Sequence, residues 1–179
     1  MFRIAGNAVT RPLSARVMQG AAGRYTRYPN KLHARGILTL KDHLYFSKAT
    51  ASGAGRNGNV TSTGDAPLDL KLAMPKVAGG KGDGQNPEQL FAMGYSACFL
   101  GALQLQGARA GKKEMTDKAK VHATVFLGHP MDPDLEGFGL RVELTVEGVP
   151  DDALIQAAHD FCPYSRALKH GIDVKITKA

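Results

Sequence analysis

The centre of the chain, residues 86–111, reads NPEQLFAMGYSACFLGALQLQGARAG. Asn86 can cap a helix, Pro87 fits the first helical position, and Gln89 can complete a capping box, so this stretch predicts a helix. No charged residue occurs at positions 90–105, and apolar side chains point all round. Such a helix must be surrounded by protein. Small residues along it would let another backbone approach closely: Gly94, Ala97, Gly101 and Ala102.

Alternating apolar and polar residues predict strands on both sides of this helix. Three antiparallel strands of an N-terminal sheet are expected at 43–51, 59–62 and 68–74. Strands of a second sheet are expected at 118–127 and 140–147, with a last strand at 172–176. A shorter helix begins near Asp151 and ends at Cys162, since Pro163 follows and can begin a further helical turn. The pattern indicates the α+β class.

The positive charge is concentrated at the N-terminus. Although the formal net charge is +7, residues 1–41 hold eight basic residues and no acidic one. The rest of the chain is close to neutral, so a nucleic-acid partner is not expected. An arginine-rich segment without acids predicts a disordered mitochondrial presequence over 1–41, a domain over 42–179 and a mature protein in the matrix. The alternative is a disordered basic tail that binds an acidic partner.

Several common functional classes have no support in the sequence. No apolar run approaches the roughly 18 to 20 residues that span a bilayer. The glycine-rich segment 78–84 lacks the spacing of a phosphate-binding loop, and the histidines form no metal-binding motif. No serine nucleophile motif occurs either. The two cysteines are too few for a disulfide scaffold or a zinc site, which leaves inert core residues or redox partners.

The cysteines have plausible structural and chemical roles. Cys98 lies in the middle of the apolar helix, a setting that raises the pKa of a thiol and makes it inert unless a positive charge is near. Arg56, on the glycine-rich turn 55–58, is the best candidate for that charge, although it can also be an exposed loop residue. Cys162 lies at a helix junction, where it can move or simply be buried.

Glu88 lies in the first turn of the central helix, where a carboxylate stabilises the helix end. It can also pair with Arg56 and orient the guanidinium. The ten residues from Glu88 to Cys98 correspond to about 15 Å of helical rise, so one arginine cannot meet both along a regular helix. Either the first turn bends away, or two chains form the site.

Residues 86–103 closely resemble the signature helix of the organic hydroperoxide resistance proteins, within the wider osmotically-inducible-protein-C-like family. The segment 162–167, Cys-Pro-Tyr-Ser-Arg-Ala, resembles that family's second cysteine motif. Gly-Arg-Asn-Gly at 55–58 is similar to its arginine turn, and Gly-Phe-Gly-Leu at 137–140 to a further shared stretch. The resemblance extends from about residue 43 to the end of the chain.

This resemblance implies roles for the four residues above. Cys98 would be the peroxidatic cysteine, Cys162 the resolving cysteine, and Arg56 with Glu88 the activating pair. The implied activity is reduction of lipid or alkyl hydroperoxides through a Cys98 sulfenic acid and a Cys98–Cys162 disulfide. The implied fold is an intertwined homodimer, in which two antiparallel-rich sheets wrap around two central helices.

The resemblance also implies the partners of the reaction. Dihydrolipoamide or a lipoylated protein would donate electrons, with no bound cofactor or metal. An apolar substrate pocket is expected from four residues of the central helix: Phe91, Met93, Tyr95 and Phe99. Two alternatives remain. One is a related superfamily member with a different peroxide or reductant preference, and the other is a non-catalytic stress-response binding protein with buried cysteines.

Overall fold

The computed structural model describes residues 36–178. Residues 1–35, most of the predicted presequence, lie outside the described residues. The described chain combines helices with two antiparallel sheets, which confirms the α+β class. None of its helices is long and apolar enough to cross a membrane.

The N-terminal sheet has three strands in the order β1-β2-β3, all antiparallel. They are β1 (Lys48–Ser52), β2 (Asn59–Thr63) and β3 (Asp69–Lys71). Thr50 faces Thr61 across the first pair, and Val60 faces Leu70 across the second. All five residues of β1 are exposed, so this edge of the sheet is not covered.

Helix α1 (Pro87–Arg109) is the predicted central helix. The Asn86 side chain accepts a hydrogen bond from the Gln89 N–H at 2.9 Å, and the Gln89 side chain accepts one from the Asn86 N–H at 3.0 Å, so the capping box is formed. One face is buried and carries Tyr95, Phe99, Ala102, Leu103 and Gly107. The opposite face is exposed and carries Met93, Ala97, Gly101 and Leu105. The apolar helix is therefore covered on one side only.

The C-terminal half covers the buried face of α1. Its elements are α2 (Lys113–Asp117), β4 (Lys120–Gly128), β5 (Gly139–Glu147), α3 (Asp152–Phe161) and α4 (Pro163–His170). β4 and β5 form an antiparallel hairpin in which Val125 faces Val142. Helix α1 makes its most extensive contacts with β4, α3 and α2.

Two sequence-based expectations are wrong in detail, and one short helix was not expected. The first strand begins at Lys48, not at residue 43. Segment 172–176 is not a strand, although an isolated β-bridge joins Ile172 to Leu38. In both segments the alternating apolar side chains are exposed and find no neighbouring strand within residues 36–178. Helix α2 was not predicted, since five residues are too few to show a helical period.

Candidate active site

The two cysteines lie next to each other. Cys98 is in the middle of α1, and its Sγ is 3.5 Å from the Sγ of Cys162, with both thiols free. Cys162 joins two helices: its N–H donates to the Ala158 carbonyl at 2.8 Å, and its carbonyl accepts from the Arg166 N–H at 3.0 Å. A disulfide needs a separation of about 2.05 Å, so an approach of about 1.5 Å would allow the bond.

The two sulfurs differ in their surroundings. Cys162 is completely buried, whereas Cys98 is partly exposed and is the one that a molecule in solution can reach. Burial raises the pKa of the Cys98 thiol, the backbone N–H of Tyr164 at the start of α4 opposes this, and the neighbouring Cys162 raises the pKa further. The surroundings of Cys98 thus disfavour its thiolate, as its apolar setting predicted.

Arg56 and Glu88 form the ion pair that was predicted as possible. The Arg56 Nη2 lies 2.5 Å from both carboxylate oxygens of Glu88. The hydrogen bond from Arg56 lowers the pKa of Glu88 although partial burial opposes it, and the same bond raises the pKa of Arg56. The Glu88 side chain is 16% exposed and that of Arg56 is 41% exposed, so the guanidinium remains accessible to a further partner.

The turn that carries Arg56 is built by its neighbours. Arg56 lies in a 3₁₀ turn, Gly55–Asn57, and the Asn57 side chain accepts a hydrogen bond from the Met74 N–H at 3.0 Å. A Cβ on Gly58 would lie 2.1 Å from the Ser52 carbonyl oxygen, so no other residue fits there without a backbone shift. Contacts with Met74 and Ser52 therefore hold the turn in place next to Arg56.

The two pairs do not meet in one chain. Helix α1 runs without a break through Glu88 and Cys98, so about 15 Å of rise separates them. Its first turn is regular and capped, which eliminates the bend that would have brought Glu88 towards the sulfur. The sequence had left that alternative open.

The four residues of the predicted substrate pocket do not line one cavity. Tyr95 and Phe99 belong to the buried core, and Phe91 packs against it. Met93 is 64% exposed on the other face of α1. One helix cannot direct all four side chains to one side, because Met93 lies about half a turn from Tyr95 and Phe91.

An apolar groove lies beside the ion pair instead. Its volume is about 560 Å³, and Arg56 and Glu88 contribute to its lining. The apolar lining comes from Met74, Pro75, Val77, Ala92, Val125, Phe126 and Leu127. The sequence analysis missed this groove, because alternation along a strand does not show which distant segments enclose one space.

Tyr164 and Ser165 were quoted for their motif but not assigned a role. The Tyr164 ring stacks on Phe91, with centroids 6.2 Å apart, and lies 5.8 Å from the Tyr95 ring. Ser165 is buried, and its Oγ lies 2.8 Å from the Tyr95 hydroxyl oxygen. Residues 36–178 contain no group of three or more side chains that could hold a metal ion.

Comparison with known proteins decides the family. The model of the OsmC-like protein family matches residues 80–177. The chain belongs to the OsmC-like protein family. The organic hydroperoxide resistance protein of Xanthomonas axonopodis pv. citri is 42% identical over 143 residues, which cover 76% of this chain and 95% of the relative. Organic hydroperoxide resistance protein OhrB of Bacillus subtilis is 39% identical over 138 residues, covering 74% and 96%. The resemblance drawn from the motifs is confirmed.

Solved structures of OsmC-like proteins share the fold. An organic hydroperoxide resistance protein from Legionella pneumophila has a TM-score of 0.61 and 40% identity, covering 75% of this chain and 96% of its own. A Vibrio cholerae protein has a TM-score of 0.62 and 41% identity, covering 74% and 90%, and its crystal structure holds captopril in one of the active sites.

The mitochondrial localisation predicted from the basic N-terminal segment is wrong. The named relatives come from bacteria, among them Acinetobacter baylyi, Xanthomonas and Bacillus subtilis, which have no such organelle. An arginine-rich composition is a weak signal by itself, because basic tails of other kinds share it.

Proposed function

We propose that this OsmC-like protein is a cysteine-based peroxidase that reduces organic hydroperoxides to alcohols. The main observation is the pair of free thiols 3.5 Å apart, with Cys98 partly exposed and Cys162 buried. Relatives named organic hydroperoxide resistance proteins, about 40% identical over nearly their whole length, support the substrate class. The role in hydroperoxide resistance rests on these relatives, and the chemical steps rest on the site.

In the first step the Cys98 thiolate attacks the terminal oxygen of the hydroperoxide. The O–O bond breaks, a sulfur–oxygen bond forms, and the alkoxide leaves and takes up a proton to become the alcohol. Cys98 is oxidised to a sulfenic acid, and the peroxide is reduced. Cys98 fits this role because it is the more accessible of the two thiols.

In the second step Cys162 attacks the Cys98 sulfenic acid. A sulfur–sulfur bond forms, the sulfur–oxygen bond breaks, and water leaves with the proton of Cys162. The short distance between the sulfurs supports this step. Cys162 caps the start of α4 and lies beside Pro163, at a junction where a small shift of the backbone would bring the sulfurs together.

Arg56 would activate the Cys98 thiolate of a second copy of the chain. Cys98 needs a positive charge to offset burial, and Arg56 of the same chain is held by Glu88, which lies about 15 Å along α1 from Cys98. Glu88 would hold the guanidinium in one orientation, with its exposed side directed to the sulfur of the partner and to the peroxide. The active site would then combine Arg56 and Glu88 of one chain with Cys98 and Cys162 of the other.

The exposed apolar surface supports an intertwined homodimer. The uncovered face of α1 carries Met93 and Leu105, with Ala97 and Gly101 between them, where a second backbone could approach closely. Strand β1 and the apolar residues of segments 43–47 and 172–176 are exposed as well. Isolated protomers rarely leave so much apolar surface in contact with water.

The apolar groove supports a substrate with a hydrocarbon part. Because Arg56 and Glu88 line it, a hydroperoxide group at the ion pair would place its alkyl or aryl part against Val125 and Leu127. Met93, on the exposed face of α1, would complete this pocket from the partner chain. Such a lining favours lipid or aryl hydroperoxides over hydrogen peroxide.

The electron donor is proposed to be a dihydrolipoyl group, as dihydrolipoamide or on a lipoylated protein. This part of the proposal rests on the family resemblance. Chemically, a dithiol donor suits a buried disulfide. After its first thiol forms a mixed disulfide with the protein, its second thiol displaces the protein cysteine, and the donor leaves as a cyclic disulfide. Turnover with dihydrolipoamide, compared with thioredoxin and glutathione, tests the choice and identifies a branch of different reductant preference.

Substitution of each cysteine tests the peroxidase proposal. Since the chain has only two cysteines, Cys98→Ser and Cys162→Ser separate their roles completely. Cys98→Ser should abolish turnover of an alkyl hydroperoxide. Cys162→Ser should react once, keep a sulfenic acid that a dimedone-type probe traps, and form no intrachain disulfide. Full activity of Cys98→Ser would overturn the proposal, and native thiols that react with neither peroxide nor probe would favour a non-catalytic binding protein.

A further inference from the structure

A buried hydrogen bond joins the helices that carry the two cysteines. The hydroxyl oxygens of Tyr95 on α1 and Ser165 on α4 are 2.8 Å apart, with either group able to donate. Tyr95 is 3% exposed and Ser165 is 2% exposed. Burial raises the pKa of Tyr95, so its phenol stays protonated and the hydrogen bond persists at neutral pH.

This hydrogen bond lies one helical turn from the contact between the two sulfurs. Tyr95 precedes Cys98 by three residues on α1, and Ser165 follows Cys162 by three residues into α4. Residues three apart on a helix lie on nearly the same face, so the hydroxyl contact and the sulfur contact lie side by side, one turn apart. The Tyr164 N–H that interacts with Cys98 lies between them.

A buried hydroxyl pair can be explained simply by the need to satisfy polar groups. Thr116, the other fully buried polar residue in the described core, shows that simpler arrangement: its hydroxyl donates to the Lys113 carbonyl within its own short helix. Tyr95 and Ser165 instead connect elements 70 residues apart. An apolar pair of the same shape would be nearly as stable, so the two hydroxyls fix the relative position of the helices more than they stabilise the fold.

We propose that Tyr95 and Ser165 act as a clamp that positions Cys162 for disulfide formation. This inference rests on the proposed peroxidase function. The clamp holds the start of α4 against α1, so that the Cys162 sulfur needs to move only about 1.5 Å to form a bond with the Cys98 sulfur. Both are positioning residues, since neither exchanges electrons or protons with the reacting sulfurs.

The clamp acts on one step of the cycle only. Oxidation of Cys98 needs the peroxide and the thiolate on α1, whereas closure of the disulfide needs α4 at the correct distance. Loss of the clamp should therefore slow disulfide closure by about ten- to a hundredfold, because misplacement of a reacting group by about 1 Å has effects of that size. Oxidation of Cys98 should change by less than about threefold, below the size of such a positioning effect.

The test uses Tyr95→Phe, Ser165→Ala and the double variant in the full chain. Reduced protein receives one equivalent of an alkyl hydroperoxide, and samples quenched over time are analysed by mass for thiol, sulfenic acid and disulfide. Thr116→Val is the matched control, because it also removes a buried hydroxyl but lies on α2, away from the cysteines. Unfolding in urea gives the stability of each variant.

The double variant distinguishes positioning from stability. Each single variant leaves one buried hydroxyl unpaired and should lose about 1 to 3 kcal/mol, whereas the double variant should regain most of this. The clamp predicts slow disulfide closure in all three variants and normal closure in Thr116→Val. Normal closure in the double variant, or equal slowing of oxidation and closure, would overturn the clamp alone. Wild-type protein that forms a sulfenic acid but no disulfide would overturn the clamp alone, whereas wild-type protein whose Cys98 is not oxidised would overturn the peroxidase function as well.

Discussion

Heterodimers with defects on different chains test whether Arg56 acts on the cysteine of its partner. Along α1 the Glu88 that holds Arg56 is about 15 Å from Cys98 of the same chain. At an effective dielectric constant near 20, a positive charge stabilises a thiolate by about 4 kcal/mol at 4 Å but by only about 1 kcal/mol at 15 Å. Salt reduces the longer interaction further, since the Debye length is about 8 Å under physiological conditions. Only an Arg56 at close range can activate Cys98.

The assay compares two heterodimers purified with a different tag on each chain. The first combines an Arg56→Ala chain with a Cys98→Ser chain. In a symmetric two-chain arrangement it keeps one intact site of two, and about half of the wild-type activity is expected. The second combines a wild-type chain with a chain that carries both substitutions. Its remaining Cys98 faces a partner without Arg56, so activity should fall by roughly 10²- to 10³-fold.

The reverse result would refute the two-chain site. If Arg56 activated Cys98 of its own chain, the first heterodimer would be inactive and the second would keep half of the activity. Half activity in both heterodimers would show that Arg56 has no activating role. A protein that is active and monomeric under the assay conditions would refute the dimer as well, which size-exclusion chromatography with light scattering measures directly.

Three further predictions follow from the site. Arg56→Ala should raise the pKa of Cys98, because the Arg56 charge then no longer joins the Tyr164 N–H in opposing burial and Cys162. The thiolate ultraviolet absorbance should shift to higher pH, and an unchanged titration would contradict this. The pKa of Glu88 is lowered in the folded state, so the ion pair stabilises the fold above the ordinary carboxyl pKa and loses this effect as pH falls through the folded value. The free energy of unfolding in urea should therefore be larger for the wild type than for Glu88→Gln at pH about 7, and this difference should disappear well below pH about 4. A difference that is the same at both pH values would contradict the role of the ion pair. Gly58→Ala places a Cβ 2.1 Å from the Ser52 oxygen and should lower peroxidase activity by displacing Arg56, whereas Gly128→Ala, with no atom within 4 Å, should not.

Local signals predicted the central helix well. Asn86, Pro87 and Gln89 act within one turn, so their capping pattern needs no information from the rest of the chain, and α1 begins where they predict. The strands β4 and β5 were also predicted as parts of a second sheet, because the alternation in each strand reflects one covered face. The end segments were not predicted correctly, since alternation shows that a strand is possible but not that a partner strand is present.

The candidate site also separates what local signals predict from what only the folded chain shows. The motifs shared with the organic hydroperoxide resistance proteins made Cys98, Cys162, Arg56 and Glu88 the candidate residues, whereas composition alone left each of them open to a structural role. The pocket prediction took four residues from one stretch of helix, although helical geometry places Met93 away from the other three. The apolar groove at Arg56 draws on the loop after β3 and on β4, so only the folded chain brings its lining together.

The sequence by itself determined the central helix, the α+β class, the family and the residues capable of redox chemistry, because each depends on neighbours a few positions apart. The tertiary structure alone decided that Cys98 and Cys162 lie 3.5 Å apart across 64 residues of chain, and that Arg56 pairs with Glu88. It also decided that α1 continues without a break between the two pairs and that Tyr95 meets Ser165. Such contacts depend on how separate elements pack against one another, and that packing leaves no periodic signal in the sequence.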